Sequence, residues 1–165
     1  MNNMQGKFPS TRLRRNRMKE FSRRLVAENT LSVNDLILPL FVCEGNKVDD
    51  PINSMPGVSR YSIDKLLNEV EKAVKFNIPA IAIFPQIESG LKNSEGSLAV
   101  DENNLVCRSI KSIKKDFPNI GIVCDVALDP FTDHGHDGLV INDKIDNDKT
   151  LEVLEQQALV QALSL

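Results

Sequence analysis

Residues 62–77, SIDKLLNEVEKAVKFN, and the run AIAIFP at residues 80–85 that soon follows decide the fold class. In the first stretch apolar residues recur at the spacing of one helix face, at Ile63, Leu66, Leu67, Val70, Ala73 and Val74. The second stretch is a short, almost wholly apolar run, which is typical of a strand buried on both faces. The sequence therefore predicts a helix over residues 62–77 that leads directly into a buried strand over residues 80–85.

The same alternation of strand and helix continues on both sides of this unit. The further predicted elements are a strand over residues 36–42, a helix over 105–117, a strand over 120–128 and a last helix capped by Asp148 that runs to residue 165. Pro39, within the first run, favours an edge or first strand. Helices between successive strands imply a parallel sheet, which leaves an open doubly wound sheet and a (β/α)8 barrel as alternatives. No glycine-rich phosphate-binding motif follows any strand, which disfavours dinucleotide and P-loop sites.

Charge is distributed unevenly along the 165 residues, whose net charge is −3. Residues 1–24 carry eight lysines and arginines and one acidic residue, whereas the remainder carries 12 basic and 22 acidic residues. A basic segment on an acidic body can bind nucleic acid, a membrane surface or an acidic surface of the same protein. We therefore predict a basic arm over residues 1–33 and an α/β body over residues 34–165.

The cysteines and the hydropathy pattern indicate in which cellular compartment the protein is found. Cys43, Cys107 and Cys124 lie far apart and form no CxxC pair, which is typical of reduced cytosolic thiols. No apolar run approaches the roughly 18 residues that cross a bilayer. We expect a soluble cytoplasmic protein that does not bind membranes.

Residues 86–103 are polar and contain Gly90 and Gly96, so they predict a long surface loop. A loop of this length in a compact domain is more often functional than idle.

The stretch CDVALDPFTDHGHDG at residues 124–138 contains both histidines and four aspartates spaced four apart. Pro130 excludes a helix with an acidic stripe. As the end of a strand, the stretch places Asp125 where parallel α/β folds gather their ligands, and alternation puts Asp125, Ala127 and Asp129 on one face. Asp125 could equally be a structural aspartate that anchors the loop. The pair His134 and His136 is typical of a surface loop or, less specifically, of a divalent metal site.

The run DVALDPFTDHGHDGLV at residues 125–140 closely resembles the signature of the delta-aminolevulinic acid dehydratase, or porphobilinogen synthase, family. The similarity extends from about residue 12 to residue 165 and includes RLRRNR, MPGVSRYSIDKLLNEVEKAVKFNIPAIAIFP and LVCRSIKSIKKDFPNIGIVCDVALDP. This resemblance implies a TIM (β/α)8 barrel, of which about the first three βα units are present. It also implies that the basic arm embraces a neighbouring subunit, usually in a homooctamer, and arm docking explains the basic run without nucleic acid.

The resemblance further implies the condensation of two 5-aminolevulinate molecules to porphobilinogen, a step of tetrapyrrole and haem synthesis. Members of the family bind both substrates as Schiff bases on two lysines of later strands. We therefore expect no Schiff-base lysine in this chain, which we interpret as an amino-terminal fragment that is inactive alone. The alternative is a truncated paralogue that serves as a non-catalytic oligomer-interaction module.

Site residues follow from the same resemblance. Asp125 matches the family's active-site aspartate, and we assign it the orientation of substrate. Where one branch of the family has three zinc-binding cysteines, this sequence has Ala127, Asp129 and Asp137. Hard carboxylates suit magnesium rather than a three-thiolate zinc site. Asp129 and Asp137 are therefore the predicted metal ligands, with magnesium as the cofactor, while His136 falls where zinc enzymes also have histidine.

Overall fold

The computed structural model describes residues 6, 7, 9–11 and 14–165. The chain divides into two compact units at Ser32 and Val33. The described part of the first unit contains a 3-10 turn, Arg15–Arg17, and helix α1, Glu20–Leu25. The Arg23 guanidinium donates a hydrogen bond of 2.8 Å to the Arg17 carbonyl, which ties the helix to the turn. Arg12, at the start of the predicted basic run, lies outside the described residues.

The second unit is built on a five-stranded sheet with the order β2-β3-β1-β4-β5. Its strands are β1 Ile37–Val42, β2 Asp49–Pro51, β3 Ser59–Tyr61, β4 Ala80–Pro85 and β5 Gly121–Cys124. The helices are α2 Ile63–Lys75, α3 Leu105–Asp116 and α4 Asn147–Ala162, and a small hairpin joins β6 Val140–Ile141 to β7 Lys144–Ile145. Within this sheet, β3, β1, β4 and β5 pair in parallel, whereas β2 runs antiparallel to its neighbour β3. The predicted parallel α/β fold is confirmed.

Among the element boundaries that differ from the prediction, two do so for identifiable reasons. The third strand ends at Cys124 rather than near Leu128, because the carbonyls of Asp125 and Ala127 accept hydrogen bonds from α4 instead of from a strand. The last helix is capped by Asp146, whose carboxylate accepts a hydrogen bond of 3.1 Å from the Lys149 amide. Asp148 lies one residue inside that helix.

Pro39 lies within β1, which is an interior strand of the sheet rather than an edge. The Val42 carbonyl accepts from Gln86, which follows β4, and the Cys43 amide donates to Tyr61 on β3. Because backbone groups alternate along a strand, the nitrogen of Pro39 faces the β3 side. Strand β3 pairs with β1 only at Phe41 and Val42. The missing N–H of Pro39 therefore costs no hydrogen bond to β4.

The core lies between the sheet and helices α2 and α3. Its fully buried side chains include Leu66 and Val70 of α2, Ile110 and Ile113 of α3, and Ile81 and Ile83 of β4. The prediction that residues 80–85 are buried on both faces holds only for one face, since Ala80, Ala82 and Phe84 are half-buried. The less buried face is the one that would look into the interior of a barrel.

None of the helices in the described part of the chain combines the length and the apolar character needed to span a bilayer.

Candidate functional site

A cavity of about 220 Å³ opens at the carboxyl-terminal edge of the parallel strands. Its walls come from the ends of β1 and β4, from α3 and from the segment after β5. The lining residues are Phe41, Ile83, Phe84, Pro85, Val106, Asp125, Ala127, Asp129, Pro130 and Phe131. This edge is where loops held by a rigid sheet collect ligands in parallel α/β proteins.

The structure brings together three of the side chains to which sequence reasoning gave a role. Asp125 is the first residue after β5, and it lines the cavity with Ala127 and Asp129. Asp137 is not part of the lining, but its carboxylate interacts with that of Asp129. Two carboxylates and an apolar wall thus face one small cavity, and a third carboxylate stands beside it.

These carboxylates interact electrostatically. The pKa of Asp129 is raised, first by its burial and then by the hydrogen bond and the negative charge of Asp137, with a further contribution from Asp125. Neighbouring negative charges in a partly desolvated site favour a bound proton or a bound cation. The site therefore attracts positive charge, which a metal ion or a substrate ammonium group would supply.

The donor set suits a hard cation better than zinc. Within the described ranges, no group of three or more His, Cys, Asp or Glu side chains is arranged to enclose a metal ion. Asp129 and Asp137 nevertheless offer a pair of oxygen donors, and magnesium is commonly held by one or two carboxylates with several waters. Ala127 has no donor atom, so these positions cannot form a three-thiolate site.

The cysteines do not supply soft ligands to the cavity. Cys43 and Cys107 are buried, Cys124 is half-buried, and none of the three lines the cavity. Burial raises the pKa of Cys124 to about 11, and burial likewise raises that of Cys43. Thiols with raised pKa values stay protonated at neutral pH and are poor metal ligands.

His134 serves as an anchor between two loops. Its Nδ1 accepts a hydrogen bond of 3.1 Å from the His136 amide, so in the neutral ring Nε2 carries the proton and donates to the Ser94 carbonyl at 3.3 Å. Both ring nitrogens are therefore occupied. This geometry supports the surface-loop interpretation for His134 over metal ligation.

The loop over residues 86–103 is held against the signature segment by Asn93, a residue that sequence reasoning missed. The Asn93 amide donates to the Phe131 carbonyl at 3.3 Å, and the Asp133 amide donates to the Asn93 carbonyl at 3.2 Å. The Asn93 side chain also accepts hydrogen bonds from the amides of Glu95 and Ser97, an arrangement typical of an Asx turn. The long loop thus supports one wall of the site.

Comparison with known proteins gives a consistent result. The family model described as "Delta-aminolevulinic acid dehydratase" matches residues 10–164. The enzyme of that name from Bradyrhizobium diazoefficiens is 55% identical over 151 residues, which cover 92% of this chain and 43% of that protein. The Chlamydia pneumoniae protein of the same name is 42% identical over 153 residues, or 93% of this chain and 46% of that protein.

A solved structure shows the same fold. The delta-aminolevulinic acid dehydratase of Toxoplasma gondii, crystallised in complex with the reaction product porphobilinogen, superposes with a TM-score of 0.84 at 40% identity. The match covers 93% of this chain and 44% of that chain, so the chain spans less than half the length of these relatives. The parallel sheet and its helices correspond to part of a TIM barrel, and the chain belongs to the delta-aminolevulinic acid dehydratase family.

Proposed function

We propose that the full-length protein containing this chain is a porphobilinogen synthase, which condenses two molecules of 5-aminolevulinate to porphobilinogen with loss of two waters. The observation that carries this proposal is the position of Asp125, in the family's signature segment and on the wall of the cavity beside Asp129. The porphobilinogen complex of the Toxoplasma gondii relative supports the choice of product.

Asp125 has two tasks in this reaction. Its carboxylate holds the ammonium group of a substrate, because opposite charges attract each other more strongly near a protein surface than in bulk water. The substrate ammonium group must lose a proton before its nitrogen can react, and the same carboxylate accepts that proton. The apolar wall formed by Phe41, Phe84 and Phe131 offers no competing polar side chain beside this carboxylate.

The nucleophiles of the reaction come from outside this cavity wall. No lysine is found among the residues that line the cavity in the described part of the chain. We assign the two Schiff-base lysines to later strands of the barrel, as in the family. The absence of lysine from the described cavity lining also suits a second candidate function. In that case the chain does not catalyse a reaction and pairs with complete subunits as an interaction module.

Asp129 and Asp137 would hold magnesium. When bound, the ion would neutralise this carboxylate pair and offer a site for an oxygen ligand. Without it, Asp129 retains a proton more readily than an ordinary aspartate does.

The arm would join subunits into a homo-oligomer, for which an octamer is the expected size. Met18, Phe21 and Leu25 expose their apolar side chains in a segment rich in arginine. Such a combination suits a protein surface that is apolar and acidic. We accordingly propose neither nucleic acid nor a membrane as partner and place the protein in the cytoplasm.

The test is to isolate the native product from its own cells with an antibody to the arm, and to measure its intact mass and its porphobilinogen formation. A mass near twice 18.4 kDa together with product formation supports the synthase. A mass near 18.4 kDa without product formation would overturn it in favour of the interaction module.

A further inference from the structure

The face of α4 that packs against the signature segment is polar, which is unusual for a buried helix face. Gln157 is 0% exposed, Gln161 is 6% exposed and Thr150 is 7% exposed. Glutamine is mostly found at the surface, because a buried amide is costly unless it is hydrogen-bonded. We call these three residues the polar face of α4. Hydrophobic packing does not explain why their polar side chains are buried.

The two glutamines hold the backbone that carries the site aspartates. The Gln161 side chain donates a hydrogen bond of 3.1 Å to the Asp125 carbonyl, and the Gln157 side chain donates one of 3.0 Å to the Ala127 carbonyl. Four helical residues rise about 6 Å, and two residues of extended chain span at most about 7 Å. Amides one helical turn apart are thus matched to carbonyls two residues apart.

The orientation of the Gln157 amide is determined by its surroundings. The Ala127 carbonyl can only accept, so Nε2 must face it, and Oε1 receives no hydrogen bond from the described residues. Gln157 therefore contributes to this contact specifically as a donor.

The polar face also holds the far end of the signature segment. The Thr150 hydroxyl accepts a hydrogen bond of 2.9 Å from the Leu139 amide and donates one of 2.6 Å to the Asp146 carbonyl. The Asp146 amide in turn donates to the Leu139 carbonyl at 2.9 Å. One helix thereby fixes both ends of the segment that contains Asp125, Asp129 and Asp137.

We propose that Gln157 and Gln161 are positioning residues that set the direction of the Asp125 and Asp129 side chains. Fixing the carbonyls of residues 125 and 127 fixes the peptide plane that follows Asp125 and the one that precedes Leu128. This limits the directions open to the Asp125 side chain and to the backbone that leads to Asp129. The kinetic part of this inference rests on the proposed synthase function, whereas the structural part does not.

Hydrogen exchange of the full-length protein tests the structural part. In Gln157→Met and Gln161→Met the side-chain length is kept and the donor is lost, while Gln156→Met changes an exposed glutamine of the same helix as the matched control. Loss of one hydrogen bond corresponds to about a tenfold change. We expect amides of residues 124–139 to exchange about tenfold faster in the first two variants and unchanged in the control. Unchanged exchange in both variants, or an equal increase throughout the domain, would overturn the proposal.

Gln161→Glu separates a donor role from packing. A protonated carboxyl group can donate to the Asp125 carbonyl, whereas an ionised one cannot. In Gln161→Glu, the exchange protection of the amides of residues 124–139 should therefore return towards the wild-type value on acidification. Gln161→Met should show no such recovery, and recovery in both variants would count against the donor role. If Gln157→Met does not fold, the two Gln161 variants decide the matter.

Turnover tests the kinetic part. We expect Gln157→Met and Gln161→Met to lower kcat about tenfold with a smaller change in KM, since a misdirected carboxylate affects the reacting complex most. Equal losses in Gln156→Met would overturn the assignment. If the wild-type protein forms no porphobilinogen, the proposed function fails, and the exchange comparison still decides the positioning role.

Discussion

The carboxyl groups of Asp129 and Asp137 interact beside the cavity, where burial and then the proximity of Asp137 raise the pKa of Asp129. Asp125, on the same wall as Asp129, adds a third negative charge to this neighbourhood. A bound proton or a bound cation would relieve the repulsion among these carboxylates and so stabilise the segment that contains them. Without either, the same negative charge favours binding of a positively charged ligand.

Replacing Asp129 with asparagine should stabilise the metal-free protein at neutral pH. The pKa of Asp129 is raised in the folded state, so the folded state binds the proton more strongly than the unfolded state does. Stability is therefore lost as the pH rises through the folded-state pKa, and an asparagine, which cannot ionise, escapes this loss. The gain should stay below about 1 kcal/mol because solvent screens a partly exposed pair.

Urea denaturation of the full-length protein at pH 7 and at pH 4, in the presence of a chelator, measures this difference. The gain should shrink at pH 4, because the raised pKa of wild-type Asp129 lets it bind a proton there more readily than an ordinary aspartate does. Asp133→Asn, an exposed aspartate of the same segment, provides the control. A destabilised Asp129→Asn at pH 7 would contradict the proposed repulsion.

Removing zinc should leave the activity of the full-length protein intact, because Ala127, Asp129 and Asp137 provide no thiolate. Magnesium should instead raise the thermal midpoint, since a ligand that binds only the folded state stabilises it by about 2.7 kcal/mol at 100 times its Kd. Asp137→Ala should abolish that increase. Activity lost on chelation and restored by zinc alone would refute the assignment.

Asp125→Ala should lower kcat for porphobilinogen formation by at least about 100-fold, the usual contribution of a positioned acid or base. Asp133→Ala removes an exposed carboxylate that does not line the cavity and should leave turnover unchanged. Steady-state assays of both variants decide the matter, and wild-type turnover in Asp125→Ala would end the proposed role.

Gly138→Ala should destabilise the fold by about 1–3 kcal/mol through overpacking. A Cβ at this position would lie 2.7 Å from Ile145 Cγ2 and 3.0 Å from Thr150 Oγ1, so it would also displace the hydroxyl that holds Leu139. Gly90→Ala is the matched control, because nothing lies within 4 Å of its Cβ. Equal urea midpoints for the two variants would contradict the close packing.

The sequence pattern correctly predicted those helices and strands whose own residues show a clear apolar periodicity. Strand β4 occupies residues 80–85 as predicted, and α2 differs from its prediction by one residue at the start and two at the end. Asp125 and Asp129 line the same wall, as their alternation suggested, although the strand on which that argument relied ends at Cys124. By contrast, Val126 and Leu128 favour a strand that does not form, because the neighbouring carbonyls bond to glutamines 30 and 36 residues away. No local pattern encodes such a distant partner.

The two antiparallel strand pairs were missed because their strands are too short to show a pattern in the sequence. Strands β2 and β3 contain three residues each and β6 and β7 two each, too few to show a period. The contact between Asp137 and Asp129 likewise follows from the path of the loop, which the resemblance located but the spacing of aspartates did not explain. Helix α4 was predicted, whereas the burial of Gln157 and Gln161 was not, although two glutamines one turn apart among apolar residues were a visible signal.

The orientation of Pro39 has a consequence for synthesis on the ribosome. Strands β1, β4 and β5 emerge before any later strand of a barrel. During translation, the side of β1 that β3 covers only at Phe41 and Val42 is therefore available to other nascent chains. An imide nitrogen facing that side interrupts the row of donors that an intruding strand would need. We therefore expect replacement of Pro39 to lower the yield of protein through misassembly during synthesis, without altering the finished site.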